Sequence, residues 1–152
     1  MKPVVKSVLA SRCKVYDKFY EKEEITEMYK DNKNILFVFG DNERCVGYGG
    51  QAIIRDLPCS YGISTKLSPS TDEESFLSDT DPSHFFHFYE DIVDLVLRMV
   101  VDPELVVYFP ESGLGTGISE MPKRCPQNFK DLNELLFTYF GIWFNEETKK
   151  FE

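Results

Sequence analysis

The stretch from Asn34 to Lys66, NILFVFGDNERCVGYGGQAIIRDLPCSYGISTK, constrains this chain more than any other. It opens on Ile35–Phe39, an unbroken run of β-forming apolar residues closed by Gly40. A run this short with such a bound reads as a buried strand. A polar turn, Gly40-Asp41-Asn42, follows, and then the glycine-rich Gly47-Tyr48-Gly49-Gly50. Gln51–Arg55 is material for a short helix. Glycine lets backbone come close to a ligand. A helix start behind it offers unpaired N–H groups and a positive dipole end, which favour phosphate or carboxylate. A tight turn between strand and helix would use the same residues, so a lone G-x-G-G does not decide between them. A second glycine loop, Pro110–Gly117 (PESGLGTG), strengthens the binding reading.

The rest of the chain alternates strands with helices. Met1–Phe19 carries Val4, Val5, Val8, Leu9, Cys13 and Val15, enough for a strand or two. In Tyr20–Lys33, Ile25, Met28 and Tyr29 fall at helical spacing and predict a surface helix ending near Asp31–Asn32. Ser60–Thr65 reads as a strand ending at Lys66, and Leu67–Pro82 as a long polar loop free to move. Ser83 is placed to cap a helix whose apolar stripe is Phe85, Phe88, Tyr89, Ile92, Val93, Val96 and Val100. Pro103 ends that region, and Leu105–Phe109 is a further buried strand leading into the second glycine loop. Pro122 and Pro126 bracket the next helix start, with Phe129, Leu132, Leu135, Leu136 and Tyr139 on its buried face. Gly141–Phe144 reads as a last strand and Asn145–Glu152 as a polar tail or edge hairpin.

This alternation predicts one α/β domain over residues 1–152, its core about 34–144, with a mixed, mostly parallel sheet. In such sheets ligands lie at the carboxyl ends of the strands. Both glycine loops follow strands, so both are expected on one rim. Together they predict a pocket for a ligand with two phosphates, such as a dinucleotide or nucleotide sugar.

Charge narrows the partners. A net charge of −9 repels a nucleic-acid backbone, which excludes a coating role on DNA or RNA. It leaves room for a small anion, because local N–H groups outweigh a distant average. A composition that is 42% hydrophobic and 14% aromatic predicts a packed globule. The four cysteines, Cys13, Cys45, Cys59 and Cys125, are scattered without a C-x-x-C, so no zinc site is expected. Free thiols fit a reducing cytoplasm. With no signal pattern and no apolar run near 18 residues, a cytoplasmic protein without membrane contact is expected.

The order of motifs resembles the macrodomains, and within them the branch of terminal ADP-ribose glycohydrolases. The resemblance is carried by Asp41-Asn42 with Gly47-Tyr48-Gly49-Gly50-Gln51-Ala52, by Ser64-Thr65-Lys66, by the strand ending at Pro110, and by Gly113-Leu114-Gly115-Thr116-Gly117-Ile118. It covers roughly Ile35–Trp143. The chain is also similar to an uncharacterised phage and bacterial family with a GDN and GGQA motif; phage origin would mean the host cytoplasm. The macrodomain resemblance implies a three-layer α/β/α sandwich that binds ADP-ribose or a related nucleotide metabolite, with no cofactor. An ADP-ribosylated protein would be a partner, and hydrolysis of an ADP-ribosyl linkage the activity.

Carried over by position, Asp41 and Asn42 would approach the distal ribose, where Gly47, Gly49, Gly50 and Gln51 let the backbone pass close. Ser112, Gly113, Leu114, Gly115, Thr116 and Gly117 would wrap the diphosphate, and Phe144 would pack near the adenine. Lys66 would attack the ribose carbon. The branch has an acid at the end of the phosphate loop; this chain has Ser119 there and Glu120 one residue later. A lysine attacks only when neutral, so Lys66 would need a depressed pKa.

Each residue has a plainer reading. Lys66 at a strand end also serves as a solvated charge or as a neutraliser of phosphate. Glu120 reads as a solvated acid, Asp41-Asn42 as a turn pair, and His84 and His87 as flanks of the aromatic stripe without a third metal ligand. Two other functions share the same motifs. One is a non-catalytic sensor or sponge for a nucleotide metabolite. The other is a nucleoside-monophosphate phosphoribohydrolase, which Pro110–Glu120 resembles with a spacing one residue too long.

Overall fold

The structure, a computed structural model, describes residues 2–16 and 21–152. The apolar run at 35–39 lies in a four-stranded sheet of β1 (Cys13–Val15), β2 (Ile35–Asn42), β3 (Ser60–Lys66) and β4 (Val106–Phe109), in the order β1-β4-β2-β3. Every neighbouring pair is parallel. Parallel strands need crossovers that cover the faces. Here α1 (Lys22–Asp31) lies between β1 and β2, a 3-10 helix (Gly50–Ile54) between β2 and β3, and α2 (His84–Val101) between β3 and β4, while the short α3 (Met121–Arg124) and α4 (Pro126–Phe140) follow β4. A small antiparallel hairpin of β5 (Phe144–Asn145) and β6 (Lys150–Phe151) closes the chain.

The period of two along β2 divides its side chains between two cores. Leu36 and Val38 pack with Phe88, Ile92 and Leu95 of α2 and Leu132 and Leu136 of α4. Ile35, Phe37 and Phe39 pack on the other face with Ile25 of α1 and with Ala52 and Ile54. The result is the expected three-layer α/β/α sandwich. Burial on both faces is why β2 carries no polar alternation. On the α1 side, Phe37, Tyr16 and Tyr108 form a triangle of near-parallel rings, with centroids 4.8, 5.0 and 5.1 Å apart.

Several local expectations are corrected. Gly40-Asp41-Asn42 is not a turn; it extends β2, because pairing with β3 continues to Asn42 opposite Lys66, across a register shift after Asp41. The short helix expected over Gln51–Arg55 is present as a 3-10 helix over Gly50–Ile54, the form that such short pieces take, with Arg55 at its C-cap. The 67–82 loop is docked at several points. Phe76 and Leu77 are buried, and Leu67 N–H donates to Ser75 O at 2.8 Å. Asp79 accepts from the N–H groups of Gln127 and Asn128 at 2.9 and 2.8 Å, which ties the loop to the start of α4.

Ser83 stands at the start of α2, but its hydroxyl donates to Asp81 rather than capping the helix. The buried ridge of α2 is Phe88, Ile92, Leu95 and Met99; Val100, expected on it, is 64% exposed. One residue is about 100° of rotation, so Val100 cannot share a ridge that runs through Met99. On α4, Phe129, Leu132 and Leu136 are buried as expected, Phe140 joins them, and Leu135 and Tyr139 sit at the margin. Gly141 caps α4 with φ +70, so of the expected last strand, Gly141–Phe144, only Phe144 lies in a strand, and the tail forms a hairpin in which β5 pairs with β6. Of the expected strands before Phe19, the described residues contain β1, while residues 17–20 lie outside them. No helix among the described residues is long and apolar enough to cross a membrane.

Candidate functional site

The parallel sheet brings the carboxyl ends of β2 and β3 together, with Asn42 opposite Lys66. The first glycine loop leaves β2 there and is fixed by side chains that precede and follow it. Arg55 donates to both oxygens of Asp41, at 2.9 and 2.6 Å, and to Gly47 O at 2.8 Å. Asn42 donates to Val46 O at 2.8 Å and accepts from Arg44 N–H at 3.1 Å. Asp41 and Asn42 thus spend their side chains on shaping the loop. The fit is tight: a Cβ on Gly62 of β3 would meet Asp41 Oδ2 at 2.5 Å, so glycine is required there.

Gln51 joins the two glycine loops. Its Oε1 accepts from Gly40 N–H at 2.9 Å, and its Nε2 donates to Gly113 O at 2.9 Å and Ser112 Oγ at 3.2 Å. Gly115 adopts φ +76, and a Cβ on it would run into Met121. The second loop is therefore folded down onto α3 in a shape that glycine alone permits.

Between the loops lies a hollow of about 400 Å³. Gly49, Gly50 and Gln51 line one side, Ser112, Gly115, Thr116 and Gly117 the other, and Gly40, Thr65 and Ser119 also contribute. Among the described residues, the N–H groups of Gly115, Thr116, Gly117, Ile118 and Ser119 meet no protein acceptor. Thr65 Oγ1 and Ser119 Oγ are paired at 2.7 Å and both are buried. No charged side chain of the described residues lines this hollow. The chemistry on offer is neutral hydrogen-bond donors, suited to an anion that carries its own charge.

A narrower hollow of about 50 Å³ adjoins it, sharing Gly40, Gly49, Ile118 and Ser119 and adding Asp41, Asn42, Gly47 and Lys66. Lys66 is 3% exposed. Its ammonium donates to Ser70 O at 2.7 Å and lies 4.2 Å from the centre of the Phe76 ring. Burial pushes the Lys66 pKa below the ordinary lysine value, the Arg124 charge adds to this, and Glu120 opposes it. Glu120 lines neither hollow; its carboxylate is 3.2 Å from Arg124 Nε and 3.9 Å from Lys123 Nζ.

A third hollow of about 480 Å³ lies on the other side of Thr116, lined by Pro122, Pro126, Phe129 and Phe144 and edged by Lys130, Glu146 and Lys149. Phe144 packs edge-on against Phe129 and lies against Gly113. Leu114 is fully buried in the core, so its side chain does not reach a hollow.

The histidines are occupied with structure. His84 Nδ1 accepts from Ser78 N–H at 2.8 Å, and His87 lies 2.8 Å from Glu43. No cluster of metal-ligating side chains occurs among the described residues. Burial raises the Cys13 and Cys125 thiols to about 12, which keeps them inert at neutral pH. Sequence reasoning assigned no role to Arg55, Phe76 and Arg124, and named Thr65 only within the Ser64-Thr65-Lys66 motif. For Arg55 the one signal was its place three residues after the G-G-Q-A run.

No curated protein and no solved structure matches the chain. Residues 17–135 match the family of unknown function DUF7831, and the chain belongs to that family.

Proposed function

We propose that this protein binds ADP-ribose or a closely related nucleotide metabolite across the two glycine loops, as its resemblance to macrodomains implies. The observation that carries this reading is the run of N–H groups from Gly115 to Ser119 without protein acceptors, beside a hollow that both loops line. Such groups stabilise phosphate oxygens without a cation. Thr116 borders both large hollows, so a diphosphate at Thr116 can extend one way to a base against Phe144 and Phe129 and the other way to a ribose near Thr65 and Ser119. The ligand can be free or attached to a protein.

Two outcomes of binding have separate support. Binding without turnover is favoured by the carboxylates: Glu120 is engaged by Arg124, and Asp41 gives both oxygens to Arg55. Hydrolysis is favoured by Lys66, a buried amine with a lowered pKa at the narrow hollow. Calorimetry with ADP-ribose, AMP and ribose 5-phosphate tests the binding. ADP-ribose should bind more tightly than either fragment, and no heat with ADP-ribose would refute the reading. Incubation with an ADP-ribosylated protein, with Lys66→Ala as control, then tells a sensor from a hydrolase.

A further inference from the structure

The interior side of Lys66 shows a feature that ligand binding does not explain. Phe76 is paired with Lys66 as an antiparallel bridge, and its ring carries two cations. The Lys66 ammonium lies 4.2 Å from the ring centre and the Arg124 guanidinium carbon 3.6 Å. Two positive charges on one ring repel each other, so the arrangement needs something to hold it. Glu73 and Glu120 do so, gripping the guanidinium at 2.9 and 3.2 Å.

We infer that Arg124 is a positioning residue for the Lys66 amine, acting through the Phe76 ring that both side chains share. The inference rests on the reading of Lys66 as the amine that meets the ligand. A planar guanidinium stacks on an aromatic face and fixes it, which a lysine ammonium does less well. Held in this way, Phe76 keeps the 67–77 segment against β3 and the Ser70 carbonyl on the Lys66 ammonium. Arg124 also sets a fixed positive charge near the amine, which disfavours its protonated form. An attacking amine needs its neutral form.

The other charges around Lys66 are accounted for. Glu120 opposes the effect. On β2, Asp41 is held by Arg55; just past the strand, Glu43, whose N–H donates to Lys66 O, lies against His87 on α2. In the loop, Asp72, Glu73 and Glu74 are exposed, and Glu73 reaches Arg124.

The test reads the amine itself and needs no ligand. Protein carrying [ε-13C]lysine is titrated with base, and the Lys66 resonance is assigned by its loss in Lys66→Arg. In the wild type its midpoint should lie below those of the surface lysines. Arg124→Gln should move it up toward them. Arg124→Lys keeps the charge but not the plane; with Phe76 loosened, the loop no longer keeps water from the amine, the largest cause of its lowered pKa, so the wild-type midpoint should be restored only in part. An unchanged midpoint in Arg124→Gln overturns the inference, and complete restoration by Arg124→Lys overturns the role of the ring. Adding ADP-ribose to the wild type is a separate arm. If it shifts no resonance while the Arg124 effect stands, the ligand reading fails and the positioning of Lys66 does not.

Discussion

Asp41 and Arg55 form a two-point ion pair, Oδ1 to Nη2 at 2.6 Å and Oδ2 to Nη1 at 2.9 Å, with both side chains nearly excluded from water. The pair joins the end of β2 to the far side of the first glycine loop, and the same guanidinium holds Gly47 O. Removing one partner strands a buried charge. Asp41→Ala is expected to destabilise the fold by about 3 kcal/mol, the range for a broken buried pair. Urea unfolding checks this. Gly62→Ala should weaken the same pair from the β3 side by about 1–3 kcal/mol through overpacking.

Two glycines of the second loop should respond differently to the same substitution. Gly115 has φ +76 and no room for a Cβ beside Met121, while a Cβ on Gly117 meets nothing within 4 Å. Gly115→Ala should cost about 1–3 kcal/mol, and Gly117→Ala less than about 0.5 kcal/mol. Thermal or urea unfolding of the two variants makes the comparison. Equal effects would mean that the loop is not pressed onto α3.

Much of the fold was legible in the sequence because strand and helix signals are local. The run at 35–39, the proline-marked start of α4 and the spacing of Phe129, Leu132 and Leu136 each needed a window of a few residues. The rest depended on distant partners. Gly40–Asn42 looks like a turn until β3 pairs with it. Asp41 looks like a ligand group until Arg55, 14 residues later, takes both its oxygens. Gln51 reaches Gly113 across 62 residues, and nothing in either local sequence announces that contact. The two loops could be placed on one rim because all strands of a parallel sheet end on the same side. The face that Lys66 shows to Phe76 and Arg124 could not be, because it is set by the docking of the 67–82 loop.

Gln51, which directly follows the first glycine loop, ties the end of β2 at Gly40 to the second glycine loop at Ser112 and Gly113 through its two amide atoms. Gln51→Glu loses the N–H donors to Gly113 O and Ser112 Oγ and puts a negative charge beside the hollow. The expected stability loss is about 1–3 kcal/mol, that of an unsatisfied buried group. Calorimetry should also show weakened ADP-ribose binding. Unchanged affinity would show that the two loops keep their spacing without this tie.

Lys66 should behave as a residue kept at a cost to stability. Its pKa is lowered in the folded chain, chiefly by burial. Between that lowered value and the ordinary lysine value the unfolded chain binds more protons, so stability rises as pH climbs through this window. Lys66→Met removes the buried charge and should be at least as stable as the wild type near neutral pH. The wild type should then gain on the variant as pH rises through the window. Thermal unfolding across that range checks the sign, and a wild type that loses stability relative to Lys66→Met would reverse it.

The thiols give a simple check of burial. Cys45 is exposed, whereas Cys13, Cys59 and Cys125 are buried. A thiol reagent should modify Cys45 in the native protein and all four cysteines after unfolding. Rapid native reaction of a second thiol would contradict the packing of the core.

In the proposed function, main-chain amides of the second glycine loop hold the nucleotide. The most direct measurement is a titration of 15N-labelled protein with ADP-ribose, followed by amide shifts. Saturable shifts are expected at Gly115, Thr116, Gly117, Ile118 and Ser119, with smaller ones at Gly49 and Gly50. Silence at these amides at millimolar ADP-ribose, or shifts confined to another face of the molecule, would contradict it.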